Sequence, residues 1–217
     1  MSIFLRATKS GWYPQFLQPV VKVVLADPGN NKLLDIGTGP GTLPEMLIKE
    51  DSNLNITGID SSTSMINEAG KRLKHKNVSF QYGKANERLP FANEVFDVVT
   101  FCSVLFLPDD TAKTFLLKEA LRVLKPNGKI IILTPSGKKL NISAFAEVWQ
   151  FPFSLNNWTF LVWKIVTSRS GRKWQQQKWL ASYSEFKKLS YSTFLTFNRN
   201  ASIEIINKTN NILKEKK

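Results

Sequence analysis

Apolar side chains at Phe16, Leu17, Val20, Val21, Val23 and Val24 recur at helical spacing. They predict an amphipathic helix from Trp12 to Leu25, ended by Asp27-Pro28-Gly29. From residue 31 onward, short apolar runs alternate with helical periods. Lys32 to Ile36 predicts a strand that runs into a glycine-rich turn. Thr42-x-x-Glu45, with Pro44 in the first turn, predicts a capping-box start for a helix reaching about Lys49. Leu54 to Ile59 reads as a second strand, Thr63 to Lys74 as a helix capped by Ser61 or Ser62, and Val78 to Tyr82 as a third strand. Val95 to Phe101 is a fourth strand, apolar enough to be buried on both faces. Asp109 or Asp110 caps a helix through Leu124, Lys125-Pro126-Asn127-Gly128 stops it, and Lys129 to Leu133 is a fifth strand.

Strands alternating with helices imply a parallel sheet with right-handed crossovers, hence a doubly wound α/β fold. After Pro135 the alternation breaks. Residues 138–180 hold five of the six tryptophans and no strand pattern. Ser182-x-x-Glu185 opens a short helix. Tyr191 to Phe197 and Ser202 to Ile206, separated by Asn198-Arg199-Asn200, then read as a hairpin. The chain of 217 residues is read as one domain. Its parts are an N-terminal helical segment (1–30), a ligand-binding core (31–135), a lid (138–180), and a C-terminal helix and hairpin (182–208).

Composition narrows the chemistry. A lone Cys102 leaves no disulfide framework and no multi-cysteine zinc site, and a lone His75 leaves no His/Cys cluster. No metal is expected, and a reducing, cytoplasmic compartment is. The N-terminus is broken by Arg6, Lys9 and Pro14 before a signal-like apolar stretch forms. The most apolar internal run, Trp158 to Val166, contains Lys164 and is too short to span a bilayer, so no transmembrane segment is expected. The net charge of +13 is lopsided. Residues 31–135 carry 13 Lys/Arg against 12 Asp/Glu, whereas 136–217 carry 14 against 4. A basic half suggests peripheral contact with an anionic membrane or with RNA through 138–217.

Two features carry the candidate chemistry. Asp35-Ile36-Gly37-Thr38-Gly39-Pro40-Gly41 stands at a strand-to-helix turn, where glycines let the backbone adopt positive φ and approach a ligand. The helix that follows points its free N–H groups there. A dinucleotide fingerprint would put its third small residue where this chain has Thr42, and the Gly-Lys-Ser/Thr of a P-loop is absent. Asp60 ends the second strand about 20 residues later, where a carboxylate can accept from both hydroxyls of a ribose.

LLDIGTGPGTLPEML, TGIDSSTSMINEAGKRL, NERLPFANEVFDVVTF and LKEALRVLKPNGKIIILTP together resemble the class I methyltransferases that use S-adenosyl-L-methionine, over roughly residues 30–135. The likeness is to their quinone and natural-product group. It implies a Rossmann-like seven-stranded sheet, with the hairpin supplying strands six and seven and the last strand antiparallel. It implies that Asp35 and the turn Gly37, Thr38, Gly39 and Gly41 hold the methionine part, that Asp60 with Ser61 binds the ribose, and that Met65 packs near the adenine. It further implies that Ala85 and Asn86 border the adenine edge, and that Cys102 and Ser103 line the methyl-transfer site. Where many relatives carry a carboxylate after the third strand, Gly83 is followed by Lys84, and Asn86 is expected to accept in its place. No Asn/Asp-Pro-Pro-Tyr/Phe follows the fourth strand, which argues against amino methylation of DNA or glutamine. The implied reaction is methyl transfer to a small apolar or aromatic acceptor by in-line attack, with no general base assigned. The alternatives are an RNA methyltransferase and a catalytically silent S-adenosylmethionine-binding protein.

Overall fold

A computed structural model describes residues 3–84, 86–139 and 142–208. Seven strands form one sheet in the order β3-β2-β1-β4-β5-β7-β6. They are β1 (Lys32–Ile36), β2 (Asn55–Asp60), β3 (Val78–Tyr82), β4 (Phe96–Cys102), β5 (Leu124–Pro135), β6 (Ser190–Thr196) and β7 (Ala201–Asn207). β1 through β5 are parallel, and β7 inserts antiparallel between β5 and β6. The chain moves outward from β1 through β2 to β3, then returns to lay β4 on the other side of β1. Their carboxyl ends therefore diverge into a crevice.

The strand alternation sorts side chains into two cores. Leu33, Val98, Ile131, Leu133 and Ile203 face one layer, with α2 (Trp12–Leu25) and α3 (Thr42–Glu50). Leu34, Ile36, Val99, Phe101, Ile130 and Ile132 face the other, with α5 (Asp110–Val123) and Leu180 of α8 (Trp179–Phe186). Val98, Val99, Thr100 and Phe101 are all fully buried, as a central strand requires. α1 (Ile3–Ala7) precedes α2, and α4 (Thr63–Arg72) packs on β2 and β3.

The structure corrects three local expectations. The helix after the glycine turn has no capping box. Its N-cap is Gly41 at φ 75°, and Thr42 Oγ1 instead accepts from Arg72 Nη1 at 2.8 Å. β5 starts at Leu124, not Lys129, because Leu124 pairs with Phe96 before a register shift. Ser182-x-x-Glu185 lies inside α8, which begins at Trp179, after the left-handed Lys178 breaks it from the preceding helix. Ser62 does cap α4, and Asp109 caps α5.

Residues 138–180 contain α6 (Ile142–Val148) and the 19-residue α7 (Thr159–Gln177). α7 crosses the carboxyl end of β5 at Gly171, where a Cβ would stand 2.6 Å from Pro135 O and 2.9 Å from Gly137 N. Its first half sends Phe160 into the α2-side core, among Trp12, Phe16, Trp163 and Phe197. Its second half sends Trp174 into the opposite core, where the indole donates to Glu204.

Candidate active site

A cavity of about 330 Å³ opens where β1, β2 and β4 end. Seven of the residues singled out in the sequence line it: Gly37, Gly39, Asp60, Ser61, Met65, Cys102 and Ser103. Asp35, Thr38 and Gly41 do not reach it. They are buried around the turn and shape it from behind. Asn86 is exposed and lies outside the lining, whereas Lys84, expected to be a bystander, lines the cavity and pairs with Glu87 at 2.9 Å. Ala85 lies outside the described residues.

The turn is stitched to β2. Gly37 N and Thr38 N donate to Ile59 O at 2.8 and 3.0 Å, and Gly41 N donates to Thr38 O at 3.1 Å. Gly39 N donates to Asp60 Oδ2 at 2.9 Å, and Ser62 N donates to Asp60 Oδ1 at 2.8 Å. The amides of the turn are therefore engaged within the protein. What the turn presents to the cavity is surface without side chains. A Cβ on Gly37 would overlap Val104, and one on Gly39 would approach Phe4 Cε1 at 3.1 Å. Asp60 arrives pre-aimed, because two backbone N–H groups fix its carboxylate.

Asp35 sits one layer below. Thr100 Oγ1 donates to its Oδ1 at 2.7 Å, yet burial, aided by the nearby Asp60, lifts its pKa to about 6. Burial, then Asp35, pushes the Cys102 thiol well above its usual range, which leaves it a protonated wall residue and not a nucleophile. His75 is not among the lining residues, and its Nδ1 accepts from Asn77 N at 3.3 Å. Among the described residues no cluster of His, Cys, Asp and Glu could hold a metal ion, and no helix is long and apolar enough to cross a membrane.

Sequence reasoning missed the apolar walls: Phe4 of α1, Ile36, Ile59, Leu89, Val104, Leu107 and Leu116. It also missed Tyr13, buried on α2 edge-on to Phe4, ring centroids 6.0 Å apart. Burial raises the Tyr13 phenol far above its ordinary pKa, and Cys102, Asp35 and Asp60 add to that rise. None of the described residues of 138–180 lines the cavity.

The methyltransferase domain family matches residues 28–187. The chain is 37% identical over 116 residues to a ubiquinone/menaquinone biosynthesis C-methyltransferase of Desulfotalea psychrophila, covering 52% of this chain and 46% of that protein. It is 34% identical over 128 residues to the demethylmenaquinone methyltransferase of Thermotoga maritima, covering 59% and 53%. The chain thus spans about half the length of these curated relatives. In fold it is similar to a SAM-dependent methyltransferase from Aquifex aeolicus, with TM-score 0.67 and 15% identity over 96% of this chain and 100% of that one. It is also similar to the plantazolicin methyltransferase in complex with SAH, with TM-score 0.62 and 17% identity over 95% and 84%. With four motifs, the strand order and the matched span in agreement, the chain belongs to the methyltransferase domain family, in its class I, S-adenosylmethionine-dependent form.

Proposed function

We propose that this protein transfers a methyl group from S-adenosylmethionine to a small apolar or aromatic acceptor of the quinone kind. The observation that carries the reading is a cavity at the sheet's switch point that sets one oriented carboxylate, Asp60, among apolar walls. Three features support the fit of the cofactor. Asp60 is held at the cavity with its carboxylate oriented. Gly37 and Gly39 face the cavity with bare backbone, where a ligand can approach closely. The Ser103 hydroxyl is buried without a hydrogen-bond partner, and Ser103 sits at φ 60° beside the cavity. In this reading Asp60 and Ser61 take the ribose, Gly37 and Gly39 take the methionine part with Asp35 supporting the turn from beneath, and Met65 packs near the adenine.

When bound, S-adenosylmethionine supplies a methyl on a positively charged sulfur with a good leaving group. The chain's own work is then to hold an acceptor atom in line and keep water out. Positioning of that kind contributes about 7–11 kcal/mol. Ile36, Val104 and Leu116 provide the apolar wall. The catalytic base stays unassigned, since Cys102 is held protonated. Of the anionic partners the basic half allows, lipid suits an apolar acceptor better than RNA does.

The test is calorimetric binding of S-adenosylmethionine and S-adenosylhomocysteine, followed by labelled methyl transfer to a short-chain demethylated quinone. Saturable binding with quinone-dependent S-adenosylhomocysteine release is expected. Binding without release toward any quinone or aromatic acceptor leaves a silent binding protein, and release dependent on RNA leaves an RNA methyltransferase.

A further inference from the structure

The loop 149–158 between α6 and α7 holds large apolar side chains away from the protein. Trp149 is 86% exposed, Phe153 92% and Leu155 84%. With Phe145 and Trp158 they surround an apolar groove of about 460 Å³. Loose packing does not account for this. Phe151, in the middle of the loop, is buried against Phe160 and Phe197. Gly11 N donates to Asn157 Oδ1, and Asn157 Nδ2 donates to Pro152 O, both at 2.9 Å. Thr159 Oγ1 donates to Asn156 O at 2.6 Å. The backbone is pinned with one aromatic turned in and the others turned out. Contiguous exposure of that size is uncommon on a surface that meets only water.

The segment that carries the patch exposes charge of one sign. Across 138–180 the sole carboxylate, Glu147, is buried and tied to Lys164, Lys138 and Asn200. Lys138, Lys139, Arg169, Lys173 and Lys178 are exposed. Along the outer face of α7, exposed Ile165 and Val166 lead from the patch to Arg169 and Lys173. α1, packed on α7, adds exposed Ile3 and Arg6 and supplies Phe4 to the cavity wall.

From this apolar patch on a segment whose exposed charges are all basic, we infer that the 149–158 loop, the outer face of α7 and α1 form a docking surface for an anionic lipid bilayer. The inference rests on the reading that the acceptor is apolar, and it brings α1, one wall of the cavity, to the surface where such an acceptor dissolves. The groove contains no charged residue, whereas a site for single-stranded RNA interleaves cations with stacking aromatics along a phosphate track. A second copy of this chain, at net charge +13, would bring like charge against like. A bilayer offers what the patch lacks: an apolar interior beneath anionic headgroups.

The experiment is co-sedimentation of the full chain with phosphatidylcholine vesicles, with and without a third of phosphatidylglycerol. Binding to the anionic vesicles is expected, with a blue shift of tryptophan emission and weakening by salt. The double variant Trp149→Ser/Phe153→Ser should lower the partition by roughly tenfold or more, since it removes two large apolar side chains from the buried face. Arg169→Glu/Lys173→Glu should lower it while leaving the apolar patch intact. Both variants should keep the parent's affinity for S-adenosylhomocysteine, which also shows that they are folded. Vesicle binding unaffected by either variant, or absent from anionic vesicles, overturns the inference. So does RNA binding, or dimerisation, that is lost with the aromatic pair. A chain that binds anionic vesicles but methylates no quinone would retain this surface and sink only the acceptor reading.

Discussion

Gly37 meets two demands at once: φ of 75°, and no room for a side chain beside Val104. Gly37→Ala is expected to destabilise by about 2–4 kcal/mol, the sum of a left-handed backbone and overpacking. Adding Val104→Ala should recover the packing share and leave about 1–2 kcal/mol in urea unfolding, because the dihedral penalty stays. Asp35 makes a pH prediction. Its folded pKa of about 6 lies above the ordinary 3.8, so between those values the folded chain keeps a proton that the unfolded chain has shed. Stability is fullest below that window and falls as pH rises through it, by about 3 kcal/mol when complete. Asp35→Asn removes this slope. The difference in unfolding free energy should therefore move toward the variant as pH rises from below the window to neutrality. The glycine turn and Asp60 were legible because their spacing encodes a requirement on backbone and charge. Phe4 and Tyr13 were not. Phe4 carries no motif, and Tyr13 shares its helical face with Phe16 and Val20, which reads as core. That Lys84 and not Asn86 lines the cavity was not legible either, because the chemistry of a loop residue says nothing of which way the loop turns it.

Among the elements, β1 to β4 lay within a residue of their expected ends; β1 and β4 are buried along most of their length and read as continuous apolar runs, whereas β3, at the sheet edge, is only partly buried. α7 could not be read that way. A helix that serves both cores spreads its apolar residues round the axis and shows no single stripe. It also buries Lys164, whose Nζ donates to Asn200 Oδ1 at 2.9 Å and pairs with Glu147 Oε2 at 3.4 Å. A lysine in a helix otherwise reads as a solvated position. Lys164→Met should cost about 1–3 kcal/mol in chemical denaturation, because Asn200 Oδ1 loses its donor and Glu147 one of its two cations while Lys138 remains. Lys164→Met combined with Glu147→Gln should cost less than the single change, and a double change that costs the sum of the two singles would show the pair to be uncoupled.

For the molecule as a whole, the seven-stranded order was implied by the family likeness, while the disposition of 138–180 depended on contacts far apart in the chain. Those residues were anticipated as one mobile cover, and the structure divides their aromatics between the two sides of the sheet. The five-residue α1 supplies Phe4 to the cavity, whereas α7 is anchored in both cores. Adding S-adenosylhomocysteine should slow amide exchange in residues 3–11 more than in 159–177. Equal protection of both, or protection of α7 alone, would return the cover to the aromatic segment. The crossing at Gly171 has a wider consequence. A seven-stranded sheet separates two hydrophobic layers that otherwise communicate only through its strands. α7, lying backbone to backbone over the end of β5 with a large ring sunk into each layer, clasps them into one cooperative unit. Unfolding of either layer must then drag the other with it, and a bulky residue at 171 would let the two halves of the protein melt apart.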